Sequence, residues 1–338
     1  MKVIIPVAGA GTKLRPLTYT QPKPLIPVAG KPILGFIVDE LVEVGFTEFI
    51  FVIGYMGDKI KAYINENYPD LDKEFVIQED REGLGHAIWT ARHLLGEEDP
   101  LFVSLGDLIF DMDLKKMVDC ENSCLAVSKV GDPRNFGIVE INEKGLVKAA
   151  IEKPSIPRSN LAMIGIYKFK KSGELIHALD KLIKEERKTH EEFQLTDAIM
   201  DMIKGGHRFT TQSAENWYDC GQKDVLLKTN AILLEKAGYP TTNLPEFQNS
   251  IVLQPVHIAE NCQIENSIVG PHVTIGPNSH IRSAIVRDSI IGEHATIEEV
   301  VLQASIVGND AAIKGMRQSL NLGDNTVIDF GQSSRRQR

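Results

Sequence analysis

Residues 1–28 read MKVIIPVAGAGTKLRPLTYTQPKPLIPV. A short apolar run, residues 3–5, leads through Pro6 into Gly9-Ala10-Gly11, and the residues after the glycines cannot build a long helix. Pro16, Pro22, Pro24 and Pro27 interrupt them, fixing φ and favouring extended backbone before each ring. Pro6 lacks an N–H for a central ladder, so it is expected as the residue on which the first strand ends. Without Cβ atoms at 9 and 11, an anion could approach bare backbone amides. By itself Gly-x-Gly marks only a tight turn. The surroundings add Lys13, Arg15 and Lys23 in an otherwise acidic chain. Backbone donors and cations on a stiff strap suit a polyphosphate.

Two better-known phosphate loops do not fit. A dinucleotide fingerprint needs a third glycine where Leu14 stands and an acidic end to the second strand, where FIFVIGY (residues 49–55) has none. A Walker A loop needs Gly-Lys-Ser/Thr after four intervening residues, and that spacing is missing.

Outward from the strap, strand-like runs at residues 3–5, 49–53, 74–77 and 101–105 alternate with helical patterns. Ile33, Ile37, Leu41 and Val44 form one helical stripe that stops at Gly45. Residues 83–95, GLGHAIWTARHLL, form another, and LTDAIMDMIKGG and QKDVLLKTNAILLEKAG are later helices ending at glycine. This alternation predicts a mainly parallel sheet covered by helices, a Rossmann-like α/β domain over residues 1–237. Asn142-Glu143-Lys144-Gly145 predicts a hairpin turn that adds antiparallel strands.

A proline-broken linker is expected over residues 238–250, followed by a repeat over 251–330. Steps of six pick out Val252, Ile258, Ile264; Val269, Ile275, Ile281; Ile285, Ile291, Ile297; Val301, Val307, Ile313; and Met316, Leu322, Ile328. Glycines at 270, 276, 292, 308 and 323 fall where corners are expected. Six-residue steps turning every third step predict a triangular parallel β-helix with one inward apolar residue per face. Such a solenoid has edges to cover, so homo-oligomerisation through it is expected. Residues 331–338 read as a disordered basic tail.

Hydrophobic residues make up 43% of the 338, and the net charge is −9 from 46 acidic and 37 basic side chains. That balance argues against nucleic acid as a partner. No apolar run approaches membrane-spanning length, and no basic and apolar leader opens the chain, so the cytoplasm is the expected compartment. Cys120, Cys124, Cys220 and Cys262 fit neither a zinc spacing nor a disulfide framework.

The strap GAGTKLRPLTYTQPKPLIPVAGKP resembles the signature of sugar-1-phosphate nucleotidyltransferases, Gly-x-Gly-Thr-Arg-Leu-x-Pro-x-Thr followed by Pro-Lys-Pro-Leu-x-Pro-Val. QEDREGLGHA resembles the base-binding segment of their thymidylyl and uridylyl members, LGD their metal-binding strand end, NFGIVE and EKP their sugar strands, and WYDCG their second metal carboxylate. The long thymidylyltransferase-like members also carry a β-helix, which implies its left-handed form here.

The resemblance implies attack by a sugar 1-phosphate, glucose 1-phosphate first, on the α-phosphorus of dTTP or UTP, with Mg²⁺ as cofactor and pyrophosphate released. It assigns the nucleotide to Ala8, Gly9, Gly11 and Thr12, and the triphosphate to Lys13 and Lys23. Asp107 and Asp219 are the implied Mg²⁺ ligands, Asp107 standing after the strand LFVSL, where open α/β sheets bind ligands. The sugar and its phosphate go to Gly137, Glu152, Lys153, Gly165 and Tyr167. Gln78 carries a donor and an acceptor on one amide edge, a match for a pyrimidine imide, and Gly83 lets backbone reach the same base. Lys13 departs from the family arginine and lacks its planar fork. Two readings compete: a bifunctional uridylyl- and acetyltransferase, for which His272, His280 and His294 are candidate bases, and a non-catalytic nucleotide-sugar-binding regulator.

Overall fold

The computed structural model describes residues 1–236, 245–315 and 326. A nine-stranded mixed sheet forms the centre of the first 236 residues. Its path runs Val147–Glu152, Gly137–Ile141, Leu161–Phe169, Leu101–Ser104, Lys2–Pro6, Glu48–Ile53 and Asp72–Ile77. The last four of these are mutually parallel, while Leu161–Phe169 pairs antiparallel with Leu101–Ser104. Ser123–Lys129 and Phe209–Ser213 pair off this path.

Along the central strands side chains alternate between two cores, as a period of two demands. Val3, Ile5, Phe49 and Phe51 face one layer, and Ile4, Ile50 and Val52 face the other. Seven helices cover the sheet: α1 Ile33–Glu43, α2 Gly57–Asn67, α3 Leu84–Thr90, α4 Leu114–Val118, α5 Ser172–Lys184, α6 Leu195–Lys204 and α7 Lys223–Glu235. The buried stripes of α1, α2, α4 and α7 pack on the first layer, and those of α3, α5 and α6 on the second. The helical pattern of residues 83–95 is shorter than its spacing suggests: α3 stops at Thr90 and a separate 3-10 turn covers Arg92–Leu94. The expected hairpin is present, with Asn142 N–H on Leu146 O at 2.8 Å and Gly145 at φ 76°.

Lys2–Pro6 lies between Glu48–Ile53 and Leu101–Ser104, so the connections leaving it and arriving beside it part in opposite directions. Such a switch point opens a crevice at the carboxyl ends of the strands. Pro6 is the last paired residue, opposite Val52, and the missing N–H costs the ladder nothing beyond it.

The strap does not stay extended. It folds into three single 3-10 turns, Thr12–Leu14, Leu17–Tyr19 and Lys23–Leu25. Pro16 and Pro22 precede the second and third turns, where a fixed φ is an advantage. The residue before Pro16 keeps the extended conformation that a following proline demands, with Arg15 at ψ 141°.

From Ile251 the chain winds through three four-stranded parallel sheets, each taking one strand per coil. This is a left-handed parallel β-helix. Its core contains Val256, Ile264, Val269, Val273, Ile275, Ile281, Val286, Ile291 and Ile297. One face corrects the six-residue count. Val269 stacks on Val286, and Val286 on Leu302, whereas Ile285 and Val301 point outward, 36% and 70% exposed. Residue 281 is followed by a five-residue step, and a slip of one place reverses every side chain in a strand. Met316, Leu322, Ile328, Gly323 and the tail lie outside the described residues.

The β-helix is tied to the sheet unit through Asn230, fully buried on α7. Its Oδ1 accepts from Ala29 N–H at 2.8 Å and from the Thr274 hydroxyl at 2.6 Å, while Nδ2 donates to His272 O at 3.1 Å.

The register has a direct test in thermal or urea unfolding. Val286→Ala removes two methyl-sized groups from a fully packed position and should cost about 1–3 kcal/mol. Ile285→Ala should cost less than about 0.5 kcal/mol, the usual surface value. The reverse order of costs would restore the register read from the six-residue count.

Candidate active site

The first loop is shaped by Gly11 more than by Gly9. Gly11 sits at φ 60°, and a Cβ there would stand 2.9 Å from Thr18 Cγ2 and 3.0 Å from Lys23 Cβ. The Thr18 hydroxyl donates to Gly11 O at 2.9 Å, so the strap folds back against the loop. A Cβ on Gly9 would meet nothing within 4 Å. Packing does not require glycine there, but an approaching ligand would benefit from the open wall.

The returning strap delivers Lys23 to the carboxyl end of the sheet. Its Nζ lies 2.5 Å from Asp107 Oδ2 and 3.5 Å from Asp219 Oδ1. Asp107 follows the strand Leu101–Ser104, and Asp219 ends Asn216–Asp219, which pairs antiparallel with Leu108–Asp111. Cys220 N–H donates to Asp107 O at 3.2 Å, locking the two segments together. Gly221 N–H donates to Asp219 Oδ1 at 3.0 Å, and a Cβ on Gly221 would come within 3.1 Å of Lys23 Nζ. Burial by itself would lower the Lys23 pKa, but the adjacent carboxylates of Asp107 and Asp219 outweigh it and the net shift is upward. The ammonium therefore stays charged.

Two cavities meet at this ion triad. The larger, about 490 Å³, is walled by Ala8, Gly9, Gly11, Thr12, Lys13, Lys23, Gln78, Gly83, Asp107 and Asp219 among others. The smaller, about 200 Å³, is walled by Gly137, Glu152, Gly165 and Tyr167 among others, and again by Asp107 and Asp219. Lys153 alone of the expected residues lines neither. It stands beside the smaller cavity, Nζ 3.5 Å from Glu152 Oε1, with its backbone at φ 39°.

Four details go beyond what the sequence shows. The donor half of Gln78 is already spent: Nε2 lies 3.3 Å from Gly83 O and 3.1 Å from His86 Nδ1, leaving only Oε1 for a base. Gly165 is required by packing, at φ 88° with an added Cβ only 2.5 Å from Leu105 Cδ1, and its carbonyl accepts from Leu105 N–H at 2.9 Å. It supports the turn that carries Asp107. Glu152 is held by the Thr196 hydroxyl at 2.7 Å, a partner 44 residues away at the start of α6 that no local pattern signals. Trp217, packed edge-on against Phe136 at 5.5 Å, likewise enters the smaller cavity without having been singled out.

Comparisons with known proteins show the family. Residues 2–236 match the family described as "Nucleotidyl transferase". The chain belongs to the nucleotidyl transferase family. Residues 244–299 match "GlmU-like, C-terminal hexapeptide". This nucleotidyltransferase is 30% identical to the "Low-salt glycan biosynthesis nucleotidyltransferase Agl11" of Haloferax volcanii over 97% of this chain and 98% of that one. It is 29% identical to a "Glucose-1-phosphate thymidylyltransferase" of Streptomyces griseus, over 94% and 90%. Against a "Bifunctional protein GlmU" of Methanococcus maripaludis it is 37% identical over 70% of this chain but spans only 55% of that protein's length. Among solved structures, a UDP-glucose pyrophosphorylase complexed with UDP-glucose superposes with a TM-score of 0.60 at 26% identity, covering 69% of this chain and 97% of that one.

Nucleotidyltransferases of this family generally depend on a divalent metal. The donor chemistry fits Mg²⁺: two hard carboxylates already share one cation, the Lys23 ammonium. Among the described residues no group of three or more His, Cys, Asp or Glu gathers around one point. Two protein carboxylates with phosphate and water completing the shell is how Mg²⁺ is commonly held.

Cys220 sits inside this seat as an inert thiol. Burial pushes it up to about 12, and burial pushes Cys124 up to about 11. A disulfide reagent at about pH 8 should therefore leave both unmodified in the folded protein and label both after denaturation. Rapid labelling of native Cys220 would contradict the packing of the triad.

Proposed function

We propose that this nucleotidyltransferase transfers a nucleotidyl group from a pyrimidine nucleoside triphosphate, dTTP or UTP, to a sugar 1-phosphate, glucose 1-phosphate first among them. The observation that carries this reading is the pair of cavities joined at Asp107 and Asp219, the two carboxylates that hold Lys23. One takes the triphosphate and the other the sugar phosphate, so that nucleophile and α-phosphorus meet at the seam.

In this reading a phosphate oxygen of the sugar 1-phosphate forms the new bond to the α-phosphorus. The bond from that phosphorus to the bridging oxygen breaks in line, and pyrophosphate leaves with its electron pair. Phosphoryl chemistry of this kind needs positioning and charge neutralisation more than covalent help. The amides of the open loop at Ala8–Thr12 and the Lys13 and Lys23 side chains supply positive charge to the triphosphate. Asp107 and Asp219 would hold Mg²⁺, which neutralises charge on phosphate oxygens. Glu152, pre-oriented by Thr196, accepts hydrogen bonds from sugar hydroxyls. Gly137 keeps that wall flat, since a Cβ would approach Glu152 Oε2 to 2.8 Å. Lys153 lies at the rim, suited to meeting the sugar phosphate after a side-chain rotation.

The β-helix would serve assembly of a homo-oligomer. The GlmU relatives and the hexapeptide match favour an acetyltransferase reading of the same coils. Of its three candidate bases, His272 has both nitrogens engaged, with Glu235 at 2.8 Å and Asp288 at 3.1 Å, which leaves His280 and His294 to carry that reading.

The test crosses dTTP, UTP, CTP, ATP and GTP against glucose-, galactose-, mannose- and N-acetylglucosamine-1-phosphate with Mg²⁺ and measures pyrophosphate. Pyrophosphate should form with dTTP or UTP, and Asp107→Asn, assayed under conditions where it is fully folded, should lower kcat about 100-fold or more. Acetyl-CoA turnover without nucleotidyl transfer, or near-normal rates in Asp107→Asn, would overturn the reading.

A further inference from the structure

His86 packs under the cleft wall, stacked on Trp89 with ring centroids 5.7 Å apart and 14% exposed at its side chain. Gln78 is 5% exposed, its backbone N–H fixed to Ile53 O at 2.8 Å. The contacts between them determine proton positions. The Gly83 carbonyl can only accept, so the amide atom facing it must be the NH₂ group of Gln78. That same nitrogen faces His86 Nδ1 at 3.1 Å, so Nδ1 must be the bare acceptor nitrogen. The ring proton then resides on Nε2, which points toward Glu82 Oε2 at 3.8 Å, a carboxylate able to receive it. Both amide hydrogens of Gln78 are consumed inside the protein, and Oε1 is what remains for a ligand in the larger cavity.

We infer that His86 is a positioning residue that sets base selection: its ring Nδ1, with Gly83 O, clamps Gln78 so that only an acceptor meets the pyrimidine N3. Uracil and thymine carry N3–H and are accepted. Cytosine carries a lone pair at N3 and meets another lone pair. This inference rests on the reading of the larger cavity as the nucleotide site, and it adds the residue that discriminates within the pyrimidines.

The experiment measures kcat/KM for UTP, dTTP and CTP on the full-length protein with one sugar 1-phosphate and Mg²⁺. Wild type, His86→Leu, His86→Phe and His86→Asn are compared under one set of conditions. The wild-type preference for UTP or dTTP over CTP should fall roughly 10-fold to 100-fold in His86→Leu, the usual value of a donor–acceptor match to a base edge. His86→Asn, which can offer an amide oxygen near the Nδ1 position, should keep the preference. A ratio of rates within one protein cancels any loss of folded enzyme, so a merely structural role for His86 would not move it. An unchanged ratio in His86→Leu would overturn the clamp. If His86→Leu yields no active protein, His86→Phe, which keeps a ring beside Trp89 but offers no acceptor, is read by the same criterion. Turnover of purine triphosphates in preference to all pyrimidines would instead overturn the functional reading beneath it.

Discussion

An ammonium group wedged between two carboxylates from distant parts of the chain is the constraint on which the rest of this structure depends. Lys23 arrives on the strap, Asp107 at the end of a central strand, and Asp219 on a separate two-stranded ribbon. Lys23 is only 11% exposed, so its charge could not persist there without those partners. Removing one partner would leave a charge stranded rather than merely weaken an attraction. The positive φ of Gly11, the missing Cβ of Gly221 and the bond from Cys220 N–H to Asp107 O all serve to let the three side chains converge. In the proposed reading, a seat that collects two carboxylates around one cation would suit a divalent ion, with the Lys23 ammonium turning to phosphate oxygens.

The β-helix bears on this seat from behind. After Lys23 the strap continues into the small ribbon of Pro27–Val28 and Lys31–Pro32, and its turn is pinned by Asn230 to Thr274 and His272. Gly30 lies so close under His257 that a Cβ would stand 2.2 Å from the ring. Buried polar contacts of this kind define one relative arrangement, because each unsatisfied atom would cost as much as a lost hydrogen bond. The coils therefore brace the segment that carries Lys23 as well as forming their own core.

Much of this was legible before any coordinates, and the exceptions have physical causes. Short continuous apolar runs located the central strands, because both faces of the sheet are buried, and period-3.6 stripes located α1, α6 and α7, because those helices are amphipathic. The repeat near sixteen residues exposed the solenoid, but Ile285 and Val286 are adjacent and both β-branched, so apolarity could not choose which one faces inward. Packing chose Val286. The prolines were read as keeping the strap extended, whereas a fixed φ also favours the first position of a turn, and the strap used both. Thr196 beside Glu152, and His86 beside Gln78, depend on tertiary approach that no spacing reveals. The polar chemistry of Gln78 was visible in the sequence, but not that half of it is already consumed.

The most direct measurement is a crystal structure with Mg²⁺ and whichever pyrimidine triphosphate the protein turns over. The account predicts density for one divalent ion bonded to both Asp107 and Asp219, the base edge on Gln78 Oε1, and the Lys23 ammonium moved from the carboxylates onto a phosphate oxygen. An ion bound through other side chains, or a nucleotide seated elsewhere while Lys23 still bridges the two aspartates, would contradict it.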